Sequence, residues 1–191
     1  MGKQKIVAVS GSLGTPSKTV TLAARIAAQI ATHLDAEIHE VQIAKIGREL
    51  GTALSRKELG AEAAAAITLV ESAGVLVVAS PLYRATYTGL FKHLFDFVGQ
   101  DALVDVPVVV SATGGNDRHS LAIDHAFRPL FAFFRAATVP TGIYATDKDF
   151  ENGELVNPAV IQSIERAAWE AARHVKARAE SGAGPHAKHS A

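Results

Sequence analysis

Three short stretches of this chain concentrate groups that could hold a ligand. The first is Ser10-Gly11-Ser12-Leu13-Gly14-Thr15-Pro16-Ser17-Lys18-Thr19. It offers hydroxyls, glycines and one ammonium, and it leads into a helical pattern. A phosphate ester wants unpaired main-chain N–H groups, hydroxyl donors and the positive end of a helix dipole. Ser10, Ser12, Ser17, Lys18 and Thr19 are therefore candidate phosphate holders. Ser17 and Thr19 are also alternative N-caps, and a plain serine-capped turn would use the same residues. The segment is neither a Walker loop nor the dinucleotide fingerprint, because Gly11 and Gly14 lack a third glycine three positions on. A monophosphate ester fits it better than a dinucleotide.

The second stretch, Ser80 to Gly89, reads Ser-Pro-Leu-Tyr-Arg-Ala-Thr-Tyr-Thr-Gly. Pro81 ends a strand and stiffens the turn, so the backbone of Pro81 and Leu82 can lie edge-on to a flat ring. Tyr83 and Tyr87 are two of the chain's three tyrosines and offer faces for stacking. Packing of the strand-to-helix corner is the alternative use of both. Arg84 can attract phosphate or stack. The third stretch runs from Ser111 to His119 and contains Thr113-Gly114-Gly115. Paired glycines allow close backbone approach to a ligand, and they serve an ordinary tight turn equally well. Its weight comes from its position among the elements.

Those elements alternate. Ile6-Val7-Ala8-Val9, Glu37 to Ile43, Gly74 to Ser80, Pro107 to Thr113 and Thr138 to Tyr144 read as strands. The runs apolar on both faces suit strands covered by helices on either side. Helical patterns cover Ser17 to Leu34, Ala61 to Ala73, Thr88 to Val98, Asp117 to Arg135 and Val156 to Glu180. Pro129 should kink or split the fourth of these. Gly47 to Gly60 reads as a loop with room for one helical turn, and Glu151-Asn152-Gly153 as a hairpin turn. The predicted fold is α/β and flavodoxin-like, with a five-stranded parallel sheet in the order 2-1-3-4-5 and helices on both faces. Ligands of such sheets bind beyond the carboxyl ends of the strands, near the switch in strand order. The three stretches follow strands one, three and four and so fall at that edge.

Composition narrows the function. The 191 residues suit one domain, expected over 1–180, and 181–191 lack apolar periodicity and read as a disordered tail. Lys plus Arg equal Asp plus Glu at 19 each, which gives no field for nucleic acid or anionic lipid. No cysteine is present, so disulfides, thiolate metal sites and a cysteine nucleophile are excluded. The histidines show no ligand-like spacing, and no metal is expected. The short first apolar run suits neither a signal peptide nor a membrane span, so a cytoplasmic location is expected.

Ser10-Gly11-Ser12 with Pro16-Ser17-Lys18-Thr19, then Ser80-Pro81-Leu82-Tyr83-Arg84-Ala85-Thr86-Tyr87-Thr88-Gly89, then Ala112-Thr113-Gly114-Gly115-Asn116-Asp117-Arg118-His119 resemble, in order and spacing, the NAD(P)H-dependent FMN reductases. The nearest branch is the MsuE-like reductases of two-component sulfonate monooxygenase systems. The resemblance covers roughly residues 5 to 175. It implies a flavodoxin-like enzyme that reduces FMN with NADPH or NADH and hands reduced FMN to a separate monooxygenase. The flavin would then be a substrate or loosely bound. Ser12, Ser17, Lys18 and Thr19 match the family's phosphate loop. Pro81, Leu82, Tyr83 and Arg84 match the segment along the isoalloxazine, and Thr113, Gly114 and Gly115 the loop at its other edge. The resemblance also implies a homodimer or homotetramer, and a one-residue bulge near Asp124-His125-Ala126, with His125 where other members carry Tyr. Tyr87, Arg118 and His125 are candidate nicotinamide or interface residues.

Hydride transfer between a nicotinamide and a flavin is carried by the cofactors, so no catalytic side chain is expected. A quinone or azo-dye reductase with tightly bound FMN is the alternative enzyme reading. A flavodoxin-like electron carrier is usually strongly acidic, which the balanced charge opposes. A cofactor-free interaction module would leave the three loops unexplained. The phenylalanines at 91, 95, 97, 127, 131, 133 and 134 exceed what one buried helix face needs, and they predict a symmetric apolar interface.

Overall fold

A computed structural model of the chain describes residues 2–181. The strands of the main sheet are β1 (Gln4–Ser10), β2 (Ala36–Gln42), β3 (Val75–Pro81), β4 (Pro107–Gly114), β5 (Ala137–Thr138) and β6 (Ile143–Thr146). All pairings in this sheet are parallel, in the order β2-β1-β3-β4-β5, and β6 also pairs with β4. This is the predicted flavodoxin-like order. The helices are α1 (Lys18–Ala31), α2 (Ile43–Thr52), α3 (Ala61–Glu71), α4 (Gly89–Asp96), α5 (Arg128–Phe133) and α6 (Pro158–Glu180).

The centre of the sheet is buried on both faces because β1 from Ile6, β3 and β4 carry continuous apolar runs, whereas β2 at the edge alternates with Glu37, His39 and Glu40. Ile6, Ala8, Val75, Val77 and Val109 pack towards α1 and α6. Val7, Val9, Leu76, Val78, Val108 and Val110 pack the opposite way, among residues of α2, α3, α4 and α5. Each such valine or isoleucine adds about 1.5–3 kcal/mol by burial. Those two apolar layers hold the carboxyl ends of β1, β3 and β4 side by side.

Several sequence expectations are corrected. Of the loop expected from Gly47 to Gly60, residues 47–52 belong to helix α2, which begins at Ile43. Ile43, Ile46 and Leu50 are its buried face, and Gly47 and Gly51 disguise the pattern. Gly47 is useful there, since a Cβ on it would sit 3.3 Å from the Leu90 side chain of α4. The fifth strand is two short ones. Pro140 has no N–H for the ladder, and a side chain at Gly142 would collide with Ile123. β5 and β6 therefore share the edge of β4 in turn.

The long fourth helix is broken at Ser120–Leu121, and Pro129 lies within helical backbone that is continuous from 122 to 133 and passes from π to α just before it. Asp117–His119 form a 3-10 turn, Ile123–Phe127 a π-helical turn, and α5 has Pro129 in its first turn. The π turn contains Asp124-His125-Ala126, where the resemblance places a bulge. The apolar argument for an interface also shrinks. Phe91, Phe95, Phe127, Phe131 and Phe134 are buried within the chain itself, stacked at centroid distances of 5.0 to 6.3 Å. Phe133 and Leu121 stay exposed at 62% and 61%. The hairpin is present as β7 (Phe150–Glu151) and β8 (Glu154–Leu155), with Asn152 and Gly153 both at positive φ. Apart from Ser181, the expected tail lies outside the described residues.

Gly11 leaves β1 beneath β3, and a Cβ there would lie 2.7 Å from Ser80 Oγ and 3.0 Å from the Phe91 ring. Gly115 faces open space, with nothing within 4 Å of its Cβ position. Gly11→Ala is expected to cost about 1–3 kcal/mol by overpacking, while Gly115→Ala leaves stability within about 0.5 kcal/mol. Urea midpoints of the two variants at constant slope measure both.

Candidate functional site

Beyond the last paired residue of each parallel strand, main-chain groups lose their ladder partners and must be satisfied otherwise. Buried hydroxyls meet much of that need here. Thr88 Oγ1 donates to Gly11 O at 2.9 Å, and Ser80 Oγ accepts from Thr88 N at 3.1 Å. Gly11 N donates to Ala79 O and Leu82 N to Thr113 O. Thr19 Oγ1 and Thr113 Oγ1 share a buried hydrogen bond of 2.7 Å. The loops after β1, β3 and β4 are thereby tied into one rim.

In the first loop Ser17 is the N-cap of α1, accepting from Val20 N at 3.3 Å. Ser12 is buried, donates to Gly14 O and accepts from Gly14 N. Ser10 Oγ accepts from Ser12 N. Thr19 turns its hydroxyl inward to Thr113, so it offers a ligand its main-chain N–H. The N–H groups of Leu13, Thr15, Ser17, Lys18 and Thr19 have no acceptor among the described residues. Five such donors at the positive end of a fourteen-residue helix suit a phosphate.

Lys18, Pro81, Leu82, Tyr83, Thr113, Gly114 and Gly115 line one cleft of about 190 Å³. Its remaining wall is Thr146, Asp147 and Phe150, which the sequence reading passed over as a polar turn. Tyr83 is 52% exposed, and its main chain closes on Thr86 in a two-residue turn. Arg84 and Ala85 at the tip take φ of 55° and 73°, a conformation better suited to Asn-Gly. Gly115 N and Asn116 N have no acceptor among the described residues. A planar ring between the Leu82-Tyr83 backbone and Gly114-Gly115 would meet little side-chain bulk, so the residues present fit FMN.

Tyr87 is a corner residue, packed 5.3 Å from Phe91 and edge-on to Phe127. It also borders a larger groove of about 800 Å³ between α4 and residues 123–134, beside His125 and Phe133. Arg84, Arg118 and His125 are exposed.

The missed wall has a clear local cause. Thr146 and Asp149 form a capping box: Asp149 Oδ2 accepts from Thr146 N at 2.6 Å and from Thr146 Oγ1 at 2.9 Å. Asn157 Nδ2 donates to the other carboxylate oxygen. Burial pushes the Asp149 carboxyl up, but the Thr146 and Asn157 donors outweigh it and hold it below the ordinary aspartate value. The T-x-x-D spacing was the available signal. Tyr144 was missed as well. Its hydroxyl lies over Gly114 and donates to Asn116 O at 2.8 Å, which fixes the third loop.

Residues 4–151 match the family model of NADPH-dependent FMN reductase. The chain belongs to this family. It is a flavodoxin-like oxidoreductase, and its relatives make the cofactor class concrete. It is 46% identical over 168 residues to "NADH-dependent FMN reductase SfnF" of Pseudomonas fluorescens, covering 88% of this chain and 90% of the relative. It is 43% identical over 176 residues to "FMN reductase (NADPH)" of Pseudomonas aeruginosa, covering 92% and 95%. Among solved structures, an oxidoreductase from Corynebacterium diphtheriae superposes with a TM-score of 0.84 at 31% identity, covering 93% of this chain and 99% of that one.

A carboxylate with a lowered value stabilises the fold above its ordinary value, and that contribution is lost as pH falls through the lowered one. Stability is therefore expected to drop below about pH 4. Asp149→Asn should cost about 1–3 kcal/mol near neutrality and flatten that acid limb. Urea unfolding of both proteins across acid to neutral pH measures this.

Proposed function

We propose that this protein reduces FMN with NADPH or NADH and releases the reduced flavin to a separate monooxygenase, in the desulfurisation of sulfonates. The observation that carries the flavin reading is the rim itself. Free N–H groups at the start of α1 lie next to a narrow cleft walled by backbone on two sides. Such a cleft is smaller than the ~300–1,000 Å³ typical of pockets that enclose their ligand. The relatives named as FMN reductases support the reaction, and the resemblance to sulfonate-linked reductases supports the destination. The reading places the enzyme in the cytoplasm, and no helix among the described residues is long and apolar enough to cross a membrane.

FMN, when bound, supplies the hydride-accepting ring. The chain's own residues position it. The free amides of Leu13, Thr15, Ser17, Lys18 and Thr19 and the Lys18 ammonium would take the phosphate. Pro81, Leu82 and Tyr83 hold one edge of the ring, with Thr113, Gly114 and Gly115 at the other. The unpaired N–H groups of Gly115 and Asn116 are preorganised donors for negative charge at that edge. Arg84 and Arg118, both exposed, are the proposed partners for the phosphates of the nicotinamide dinucleotide. No side chain has to move a proton.

Self-association belongs to the same proposal. Phe133 is exposed in the lining of the 800 Å³ groove, together with Phe95, Leu130 and Pro129. A second copy seated there would cover Phe133 and bring His125 into the contact.

Three outcomes are expected. The protein purifies nearly colourless and oxidises NAD(P)H only when free FMN is added; a tightly retained flavin would favour the quinone-reductase reading. FMN binds at least about tenfold more tightly than riboflavin, the equivalent of one charge-assisted phosphate contact; equal affinities in a fluorescence titration would remove the phosphate from the first loop. Light scattering at micromolar concentration shows a dimer or tetramer, and Phe133→Asp shifts it towards monomer; a clean monomer in the parent protein would defeat the interface.

A further inference from the structure

Lys18 is the cation of the phosphate loop, yet in this structure its charge is already answered. Its Nζ donates to Asp147 Oδ1 at 2.7 Å and lies 5.9 Å from the centroid of the Phe150 ring. Asp147 comes from the far side of the rim, 129 positions along the chain. Both residues line the cleft. The capping box of Thr146 and Asp149 holds the turn that presents Asp147, so its carboxylate is placed by the fold and not by chance. Lys18 is the only hydrogen-bond partner of the Asp147 carboxylate among the described residues.

The pair is a poor structural strap. The two side chains are 41% and 72% exposed, and exposed pairs of this kind contribute little to stability. What the pair does control is the charge presented to an arriving phosphate. A dianionic ester competes with Asp147 for the Lys18 ammonium, and its binding there costs the Lys18–Asp147 pair. Riboflavin carries no such charge and is indifferent to it.

Resting on the flavin-reductase reading above, we propose that Asp147 is a specificity-determining residue: an internal anion that competes with the FMN phosphate for Lys18 and keeps FMN exchangeable. The fold thus holds the flavin by its phosphate and at the same time limits how tightly it does so. An enzyme that must release reduced FMN gains turnover from that limit. Asp147→Asn removes the charge while keeping the size of this wall residue, and so moves the protein towards a flavin-retaining one.

The test is a fluorescence titration of FMN and riboflavin with the wild type, Asp147→Asn, Lys18→Ala and the double variant. Asp147→Asn is expected to tighten FMN about three- to fivefold, the scale of one exposed charge pair, and to leave riboflavin unchanged. The gain should shrink in about 0.5 M salt and in the Lys18→Ala background. Unchanged or weaker FMN binding, an equal change for both flavins, or a full gain without Lys18 would each overturn the proposal. If the wild type binds FMN selectively but Asp147→Asn gains nothing, this proposal fails alone. If the wild type binds neither flavin, the functional reading fails and this proposal with it.

Discussion

The end of a parallel strand is the constraint on which this structure turns. Past Ser10, Pro81 and Gly114 the ladder stops, and each chain must leave the sheet with main-chain groups still to satisfy. The protein meets this with a small set of buried hydroxyls. Thr88 closes on Gly11, Ser80 on Thr88, and Thr19 on Thr113. No described side-chain polar atom that is buried lacks a partner. Among the donors left over are main-chain N–H groups at the start of α1 and after Gly114. Satisfying the buried groups so fully is what makes the remainder available to a ligand.

The same economy explains why the site is built from backbone and small residues. Gly11 must be glycine because Ser80 and Phe91 occupy the space a side chain would take. Gly114 must be glycine because Tyr144 lies over it. Gly115 has open space, so what it leaves room for lies outside the protein. Glycines of one motif therefore serve different masters. Some admit neighbouring elements of the fold, and one keeps a surface free. Arg84 and Ala85, both at positive φ, add local strain at the tip of the second loop, a cost of about 1–3 kcal/mol per residue that a binding site can carry and a spacer would not.

The sequence was most readable where one physical signal dominated. Doubly buried strands such as Val75–Pro81 announce themselves by continuous apolar residues, and they place the loops that follow them. Ser17 as a cap was equally local. Legibility failed where tertiary packing overrode the local pattern. Residues 47–52 carry two glycines, one of them set by the approach of Leu90, and so looked like a loop. Pro140 and Gly142 broke a strand that hydropathy alone joined. The surplus of phenylalanine looked like an interface, but most of it fills the chain's own core, since seven aromatic rings at helical spacing can pack on one another as well as on a partner. In the site, seven candidates from three motifs converge on the cleft. Thr146, Asp147 and Phe150 join it from a short polar turn whose only clue was its capping box.

The central claim is that one rim holds both ends of FMN, with the phosphate on the amides of the first loop and the ring between the second and third. Amide chemical shifts of the labelled protein, followed on adding FMN and separately riboflavin, test it most directly. FMN should move the resonances of Leu13, Thr15, Ser17, Lys18 and Thr19 together with those of Gly115 and Asn116. Riboflavin should move only the latter pair and its neighbours. FMN titration that left the first-loop amides unshifted would contradict the account.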